Sequence, residues 1–371
     1  LAHLSLPLLG LGKVRLKGKL MTAKAALKKL DLEPMSLVTK EGLAMLNGTQ
    51  FSTAYSVWAI LETRKLMYWA NASASLSLEG FLCHTSPFDA RIQEVRPHQG
   101  QIEIGKAIRD FRKGSPIQKL VKKDVQDPYA FRCIPQVHGA SRTAWLHLKE
   151  LLEIESNSVT DNPVIIDEEL TISGGNFHGQ PMAMALDYAC LAASEIGNIS
   201  DRRVYLALEG NSPGVPKLLM EDTGINSGYM ILQYTSAALA SENKGLCFPS
   251  SADSIPTSLG QEDHVSMGSI SGRKALQVIE NVEKILAIEL LTAAQAFEFR
   301  KPMKSGVLLD EIHKEIRKKV AFAKKDRVFS DDIEKGIEMI KDKTIIKVIE
   351  RVKKRKKLKF QIPYSKEFEV F

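Results

Sequence analysis

Proline is spread unevenly along this sequence: none falls between Pro181 and Pro213, between Pro216 and Pro249, or between Pro256 and Pro302. A helix interior rejects proline, which lacks an N–H and clashes with the preceding turn, so these gaps are where long helices fit. Across residues 265–301, Leu276, Ile279, Val282, Ile285, Leu286, Leu290 and Ala293 recur at spacings of three and four, forming one helical stripe. At roughly 1.5 Å per residue such a helix is about 55 Å long. Similar patterns cover residues 50–79, 180–208 and 230–243. Helices of this length seldom bury their apolar faces inside one compact monomer and more often pack into a bundle shared between subunits. The expected fold is mainly α, an elongated bundle of long helices shared between subunits.

Strand signal is thin. Pro163-Val164-Ile165-Ile166, then Asp167-Glu168-Glu169, then Leu170-Thr171-Ile172 predicts a small β-hairpin near 163–173. It leads through Ser173-Gly174-Gly175-Asn176-Phe177-His178-Gly179 into the next long helix. A change of composition at Pro302 divides residues 1–301, the long-helix bundle expected to carry the active site, from a basic helical segment, 302–371.

With 44% hydrophobic and 26% charged residues the chain is not expected to be disordered. Its apolar runs fall short of the ~20 residues that span a bilayer. No basic-then-apolar leader follows Leu1, so no signal peptide is expected in this stretch; without an initiator Met, the sequence reads as part of a longer chain. Cys83, Cys133, Cys190 and Cys247 lie far apart with no CxxC, which argues against a disulfide scaffold or thiolate zinc site and fits a cytoplasmic protein. The eight histidines form no HExxH, and no metal is expected.

The net charge of +7 is local in origin. Residues 301–371 hold 21 Lys+Arg against 12 Asp+Glu, a net of +9, which leaves −2 for residues 1–300. The run from Arg351 to Lys357 is the densest part. It lacks aromatic interleaving and any zinc-finger or helix-turn-helix signature, so a solvated helix face or tail is preferred to a nucleic-acid contact.

Short polar clusters interrupt the helical pattern. Leu46-Asn47-Gly48-Thr49-Gln50 precedes a long helix, and Asn47 or Thr49 taken alone reads as a cap. Gln126-Asp127-Pro128-Tyr129-Ala130-Phe131-Arg132 is denser. A helix begun at Pro128 puts Tyr129 and Arg132 on one face, and an Arg fork suits a carboxylate. Glycines at 174 and 175 would let Phe177 approach a ligand closely, but no Lys-Ser or Lys-Thr follows, so this is not a P-loop. Glu242, in Ser241-Glu242-Asn243-Lys244, reads alone as an exposed helix acid, and Gln261-Glu262-Asp263-His264 as an acidic helix N-terminus.

Taken together and in order, these clusters resemble the histidine ammonia-lyase branch of the family that also holds phenylalanine and tyrosine ammonia-lyases and aminomutases. Leu1-Ala2-His3, residues 41–49, Phe88-Asp89-Ala90-Arg91, Arg96-Pro97-His98, Gln126-Asp127-Pro128-Tyr129, Asp161-Asn162-Pro163, Gly174 to His178, Ser241 to Lys244 and Gln261 to Met267 carry the likeness. It covers about 300 residues and weakens beyond Pro302. The resemblance implies a non-oxidative elimination of ammonia from L-histidine to give trans-urocanate in histidine degradation. It also implies a homotetramer whose sites draw on more than one subunit, and a 4-methylideneimidazole-5-one electrophile cyclised from Ala-Ser-Gly. That tripeptide is absent from this sequence, which resembles the family from just after it.

Carried over by position, Arg132 resembles the residue that grips the substrate carboxylate. Asn47 and Tyr129 resemble catalytic residues that hydrogen-bond around the electrophile, Gln126 an orienting residue, Phe177 one that packs on the site, and Glu242 the carboxylate facing the imidazole. Ala130-Phe131 and Gly179-Gln180 depart from the family pattern at neighbouring positions. Glu242 favours histidine, because a carboxylate beside a bare phenyl ring would be a buried charge without a partner. A tyrosine or phenylalanine lyase or aminomutase is the alternative within the family. A helical scaffold with a nucleic-acid-binding basic tail is the alternative outside it.

Overall fold

The structure, a computed structural model, describes residues 1–122 and 124–356. The chain opens with three short helices, α1 (Ala2–Ser5), α2 (Ala23–Lys29) and α3 (Glu41–Ala44), and, between the first two, an antiparallel hairpin of β1 (Lys13–Leu16) and β2 (Lys19–Thr22) against which α2 packs. The hairpin was not expected, because each strand is only four residues long and only β1 alternates, with Lys13 and Arg15 on its exposed positions, while β2 exposes Leu20 and Thr22 as well as Lys19. Next come α4 (Gln50–Gly80), α5 (Ala90–Glu94), α6 (Gln99–Phe111), α7 (Tyr129–Arg132) and α8 (Ile134–Ser156). Strands β3 (Val164–Ile165) and β4 (Thr171–Ile172) form the hairpin predicted near 163–173, pairing Val164 with Ile172. The chain continues with α9 (Gln180–Leu208), α10 (Met230–Leu246), α11 (Gly268–Glu298), α12 (Val307–Lys319), α13 (Ser330–Lys341) and α14 (Thr344–Lys356).

The four long segments anticipated from proline spacing are α4, α9, α10 and α11. Their start points show how they pack. Gly268 of α11 lies against Ser52 of α4 and Gly179, which precedes α9, lies against Thr49 and Ser266; near the other end Gly80 meets Ala296 and Phe297. So α4, α9 and α11 run parallel and begin at the same end of the bundle. From Leu66 to Gly80 in α4 and from Ile285 to Phe297 in α11 every residue is buried. Small residues such as Ser73, Ser75 and Ala293 let the neighbours close in on all sides.

Two carboxylates sit in this core fully supplied with donors. Glu79 accepts from Arg112 Nε (2.7 Å), from Ser115 and from Ser305 Oγ (3.0 Å). Glu289 accepts the Arg203 fork and two serines. Removing one partner of such a pair would leave a buried charge uncompensated, at about 3–5 kcal/mol.

Helices α12–α14 pack onto α4 and α11 through Leu309, Ile312, Ile337, Ile345 and Val352. In α14 the basic run to Lys356 faces outward, with Arg351 on Glu315 and Arg355 near Glu311, while Val352 is buried; Lys357 lies outside the described residues. Through residue 356 the run is thus the solvated face of an amphipathic helix. No helix among the described residues is long and apolar enough to cross a membrane.

One consequence concerns acid stability. His313 of α12 is buried against Phe297, and desolvation, then the Arg317 guanidinium, push it down to about 4. Lys301 acts in the same direction, while Glu298, 3.1 Å from Nε2, opposes them. An unfolded imidazole titrates near 6.5. Below that pH the unfolded chain binds a proton that the folded chain refuses, so stability is complete above about 6.5 and drains away toward 4. Between pH 7 and 4.5 this group is expected to cost the native protein about 2 kcal/mol. Urea melts at both pH values should show a smaller acid loss for His313→Phe than for the native sequence.

Candidate active site

The segment that joins α6 to α8 carries Gln126, Tyr129 and Arg132, and the structure brings these three together. Helix α7 is one turn long, too short to hold itself, since nucleating a turn fixes many dihedrals for few bonds. Its support is tertiary. Phe131 stacks on Phe81 with ring centroids 4.5 Å apart, and the His84 backbone N–H donates to Asp127 Oδ2 at 2.7 Å. The Arg203 Nη1 donates to the Ala130 carbonyl at 3.2 Å.

As the sequence predicts, Tyr129 and Arg132 share a face: the Arg132 guanidinium lies over the Tyr129 ring, 4.5 Å from its centroid. Tyr129 is 71% exposed, so this cation–π contact positions the guanidinium without covering the phenol. Arg132 Nε and Gln136 Oε1 are both buried with no hydrogen-bond partner. They line, with His84, Gln126 and Asp127, an open cleft of about 380 Å³. A donor edge without an acceptor beside such a cleft is equipped to take a carboxylate.

Asn47 lies elsewhere, at the end where α4, α9 and α11 begin. Its Nδ2 donates to Asp161 Oδ1 (3.2 Å) and to the Asn162 carbonyl (3.3 Å). Lys40 bonds the other Asp161 oxygen at 2.7 Å and holds that carboxyl below the usual range, with Asn47 adding to the effect. Gly48 makes this possible: at φ +83° its missing Cβ would meet the Thr160 carbonyl at 2.1 Å. The same Asn162 accepts from Gly174 N–H (2.7 Å) and Ser173 Oγ (3.1 Å), which ties down the loop bearing Phe177. Phe177 is 43% exposed on that loop.

Two simple readings of the sequence are corrected here. Thr49 is the residue before α4 but makes no side-chain cap bond, and Asn47 is spent on Asp161 and Asn162 rather than on the helix. Residues 261–264 do not form an acidic N-terminus either: α11 starts at Gly268 with no acid in its first turn, and Glu262 accepts from Thr257 Oγ1 at 2.6 Å. Local turns satisfied these groups first.

Glu242 sits at a third place, exposed near the end of α10. Its Oε2 accepts from Asn281 Nδ2 at 2.9 Å, and Asn281 also donates to Asn243 Oδ1 at 3.0 Å. Asn281 is in the middle of α11, beside the region where Asn243 and Val282 touch Gly197. The three groups are therefore separated along the bundle. Asn47 precedes α4, whereas Phe81 and His84, which hold the Arg132 cleft, follow its far end; 31 residues of helix amount to roughly 46 Å.

Sequence reading missed the supporting residues Lys40, His84, Gln136, Arg203 and Asn281. Each lies far in the chain from the group it serves, or outside the quoted clusters. Among the described residues no group of three His, Cys, Asp or Glu side chains could hold a metal ion.

Comparison with known proteins matches the chain to one family. The sequence profile "Aromatic amino acid lyase" fits residues 1–318. The histidine ammonia-lyase of Yersinia enterocolitica is 47% identical over 344 residues, covering 92% of this chain and 68% of that protein. The crystal structure of histidine ammonia-lyase from Trypanosoma cruzi superimposes with a TM-score of 0.90 at 36% identity, covering 99% of this chain and 70% of that one. A tyrosine aminomutase from Streptomyces globisporus gives 0.88 at 33% identity, with coverage of 94% and 71%.

Proposed function

The chain belongs to the aromatic amino acid lyase family, and from that premise we propose that its reaction is the histidine ammonia-lyase reaction. L-Histidine loses its α-ammonium and one β-proton and leaves as trans-urocanate. The observation that carries the choice of histidine is the Glu242 carboxylate. One oxygen is tethered by Asn281 on an exposed helix end, which leaves the group oriented to accept from an imidazole N–H. Such a charge-assisted bond is worth about 1.5–3 kcal/mol. A phenyl or phenol substrate offers no ring N–H to repay desolvating it.

In this reading the Arg132 fork grips the substrate carboxylate, and Gln126 orients it from the same cleft. The Tyr129 hydroxyl, next to the guanidinium, is the group placed to take or return a proton. Phe177 closes over the ring and excludes water. The family's electrophile, 4-methylideneimidazole-5-one, fits the end of the bundle that bears Asn47. There an amide anchored by its nitrogen keeps its oxygen for a ligand, and three parallel helices direct their positive ends the same way. Asn47 from one subunit and Tyr129 from another would hold it, and when present it supplies an electron sink.

A site built from groups roughly 46 Å apart in one chain has to be assembled from several copies. That is the support for a homotetramer. Exposed Met184, Tyr188 and Leu191, one face of the first half of α9, offer apolar surface for it.

Complementation tests the assembly directly. Holoenzyme carrying Arg132→Met is expected to be nearly inactive, and holoenzyme carrying Glu242→Gln to keep roughly a tenth to a hundredth of native kcat/KM. Co-expressed, they should regain activity, because random mixing leaves roughly a quarter of composite sites with both native residues. Recovery of none would mean that both residues come from one protomer, and the composite site would be abandoned.

A further inference from the structure

We propose that Arg203 is a positioning residue for substrate-carboxylate recognition, acting through the Ala130 carbonyl to set where Arg132 presents its guanidinium. The inference rests on the histidine reading above and deepens it. Arg203 is 1% exposed and spends its fork on Glu289: Nε to Oε1 at 2.5 Å and Nη2 to Oε2 at 2.9 Å. Ser77 and Ser200 fill the remaining acceptor positions of that carboxylate at 3.0 and 2.6 Å. The Glu289 network thus ties together α4, α9 and α11, the three parallel helices of the core, and the two fork bonds within it are what fix the guanidinium plane.

What the fork leaves over is Nη1, and it donates to Ala130 at 3.2 Å. Ala130 lies between Tyr129 and Arg132 in a helix of four residues. A turn this short has no internal means of holding its orientation. Its anchors are this hydrogen bond, the Phe131–Phe81 stack and the Asp127–His84 contact. Of these the first is the directional polar bond made by the four-residue turn itself to a core helix; the Asp127–His84 bond holds the chain two residues before it. A lysine at 203 would keep the charge opposite Glu289 but, as a point charge without the planar fork, could not hold both contacts in one geometry.

The test is equilibrium binding, measured by calorimetry on holoenzyme with two ligands that do not react. Imidazole-4-propionate carries the ring and the carboxylate; histamine carries the ring without the carboxylate. Arg203→Lys is expected to weaken imidazole-4-propionate about tenfold while changing histamine less than about twofold, the effect of misplacing one polar contact. Ser200→Ala takes a donor from the same carboxylate without touching the hook, so it should lower the melting temperature and leave both affinities unchanged. Glu289→Gln spoils the fork more gently and decides the matter if the lysine variant does not fold; a loss of at least about threefold, confined to imidazole-4-propionate, is expected. Equal weakening of both ligands, or affinities that match the native protein, would overturn the role of Arg203. Arg132→Met separates the two levels of argument: if it binds imidazole-4-propionate as well as the native protein does, the carboxylate grip itself is wrong.

Discussion

Replacing Glu242 with glutamine is expected to lower kcat/KM for urocanate formation by roughly ten- to hundredfold and to leave the circular-dichroism spectrum unchanged. The first number follows from losing one charge-assisted hydrogen bond, about 1.5–3 kcal/mol, as the carboxylate becomes a neutral amide. The second follows from position. Glu242 is exposed near a helix end, and its bond to Asn281 can be kept by the glutamine oxygen. Urocanate has strong ultraviolet absorbance, so the initial rate with histidine is a direct measurement. With phenylalanine and tyrosine as parallel substrates, the native enzyme should be active on histidine far above the other two. Native rates in the glutamine variant, or a preference for tyrosine in the unaltered enzyme, would remove Glu242 from the ring-binding role.

A larger effect is expected at Arg132. Methionine there keeps much of the side-chain bulk but supplies no donor, so the substrate carboxylate enters the cleft desolvated and unpaired. Loss of one member of such a pair costs about 2–5 kcal/mol, so kcat/KM should fall on the order of 10²–10³-fold. Because the carboxylate is bound in ground and transition states alike, the loss should lie mainly in KM. Arg132→Lys should recover part of it, since charge returns but the parallel pair of donors does not. A methionine variant with native KM would show that the empty donor edge beside Gln136 serves some other purpose.

The order of long helices was legible because proline and apolar spacing are local properties. Residues 50–79, 180–208 and 230–243 correspond closely to α4, α9 and α10, and the stripe from 265 frames α11 within three residues at each end. Helix α8 carried a poorer signal. His138 and Arg142 are buried on it, so its inner face does not read as apolar. His138 Nδ1 pairs with Asn71 Oδ1 at 2.9 Å, and the imidazole is held well below its usual range by burial and, secondarily, by Arg203. Such compensation depends on residues dozens of positions away and leaves no periodic trace.

The candidate site was legible only in part. Tyr129 and Arg132 could be put on one face because a single turn relates them. Asn47 looked like a helix cap because sequence shows its neighbours at 49 and 50, not Asp161. Glu242 looked like an ordinary surface acid because Asn281 is 39 residues away.

Local spacing by itself determined which stretches are helical and which short clusters carry polar chemistry, since both follow from backbone sterics and side-chain type within a few residues. Only the tertiary structure decided that the clusters stand at opposite ends and at the middle of one bundle. It also decided which buried arginine braces the Tyr129–Arg132 turn. The reason is geometric. A long helix carries its two ends tens of ångströms apart, and which side chains meet across parallel helices depends on how the helices dock.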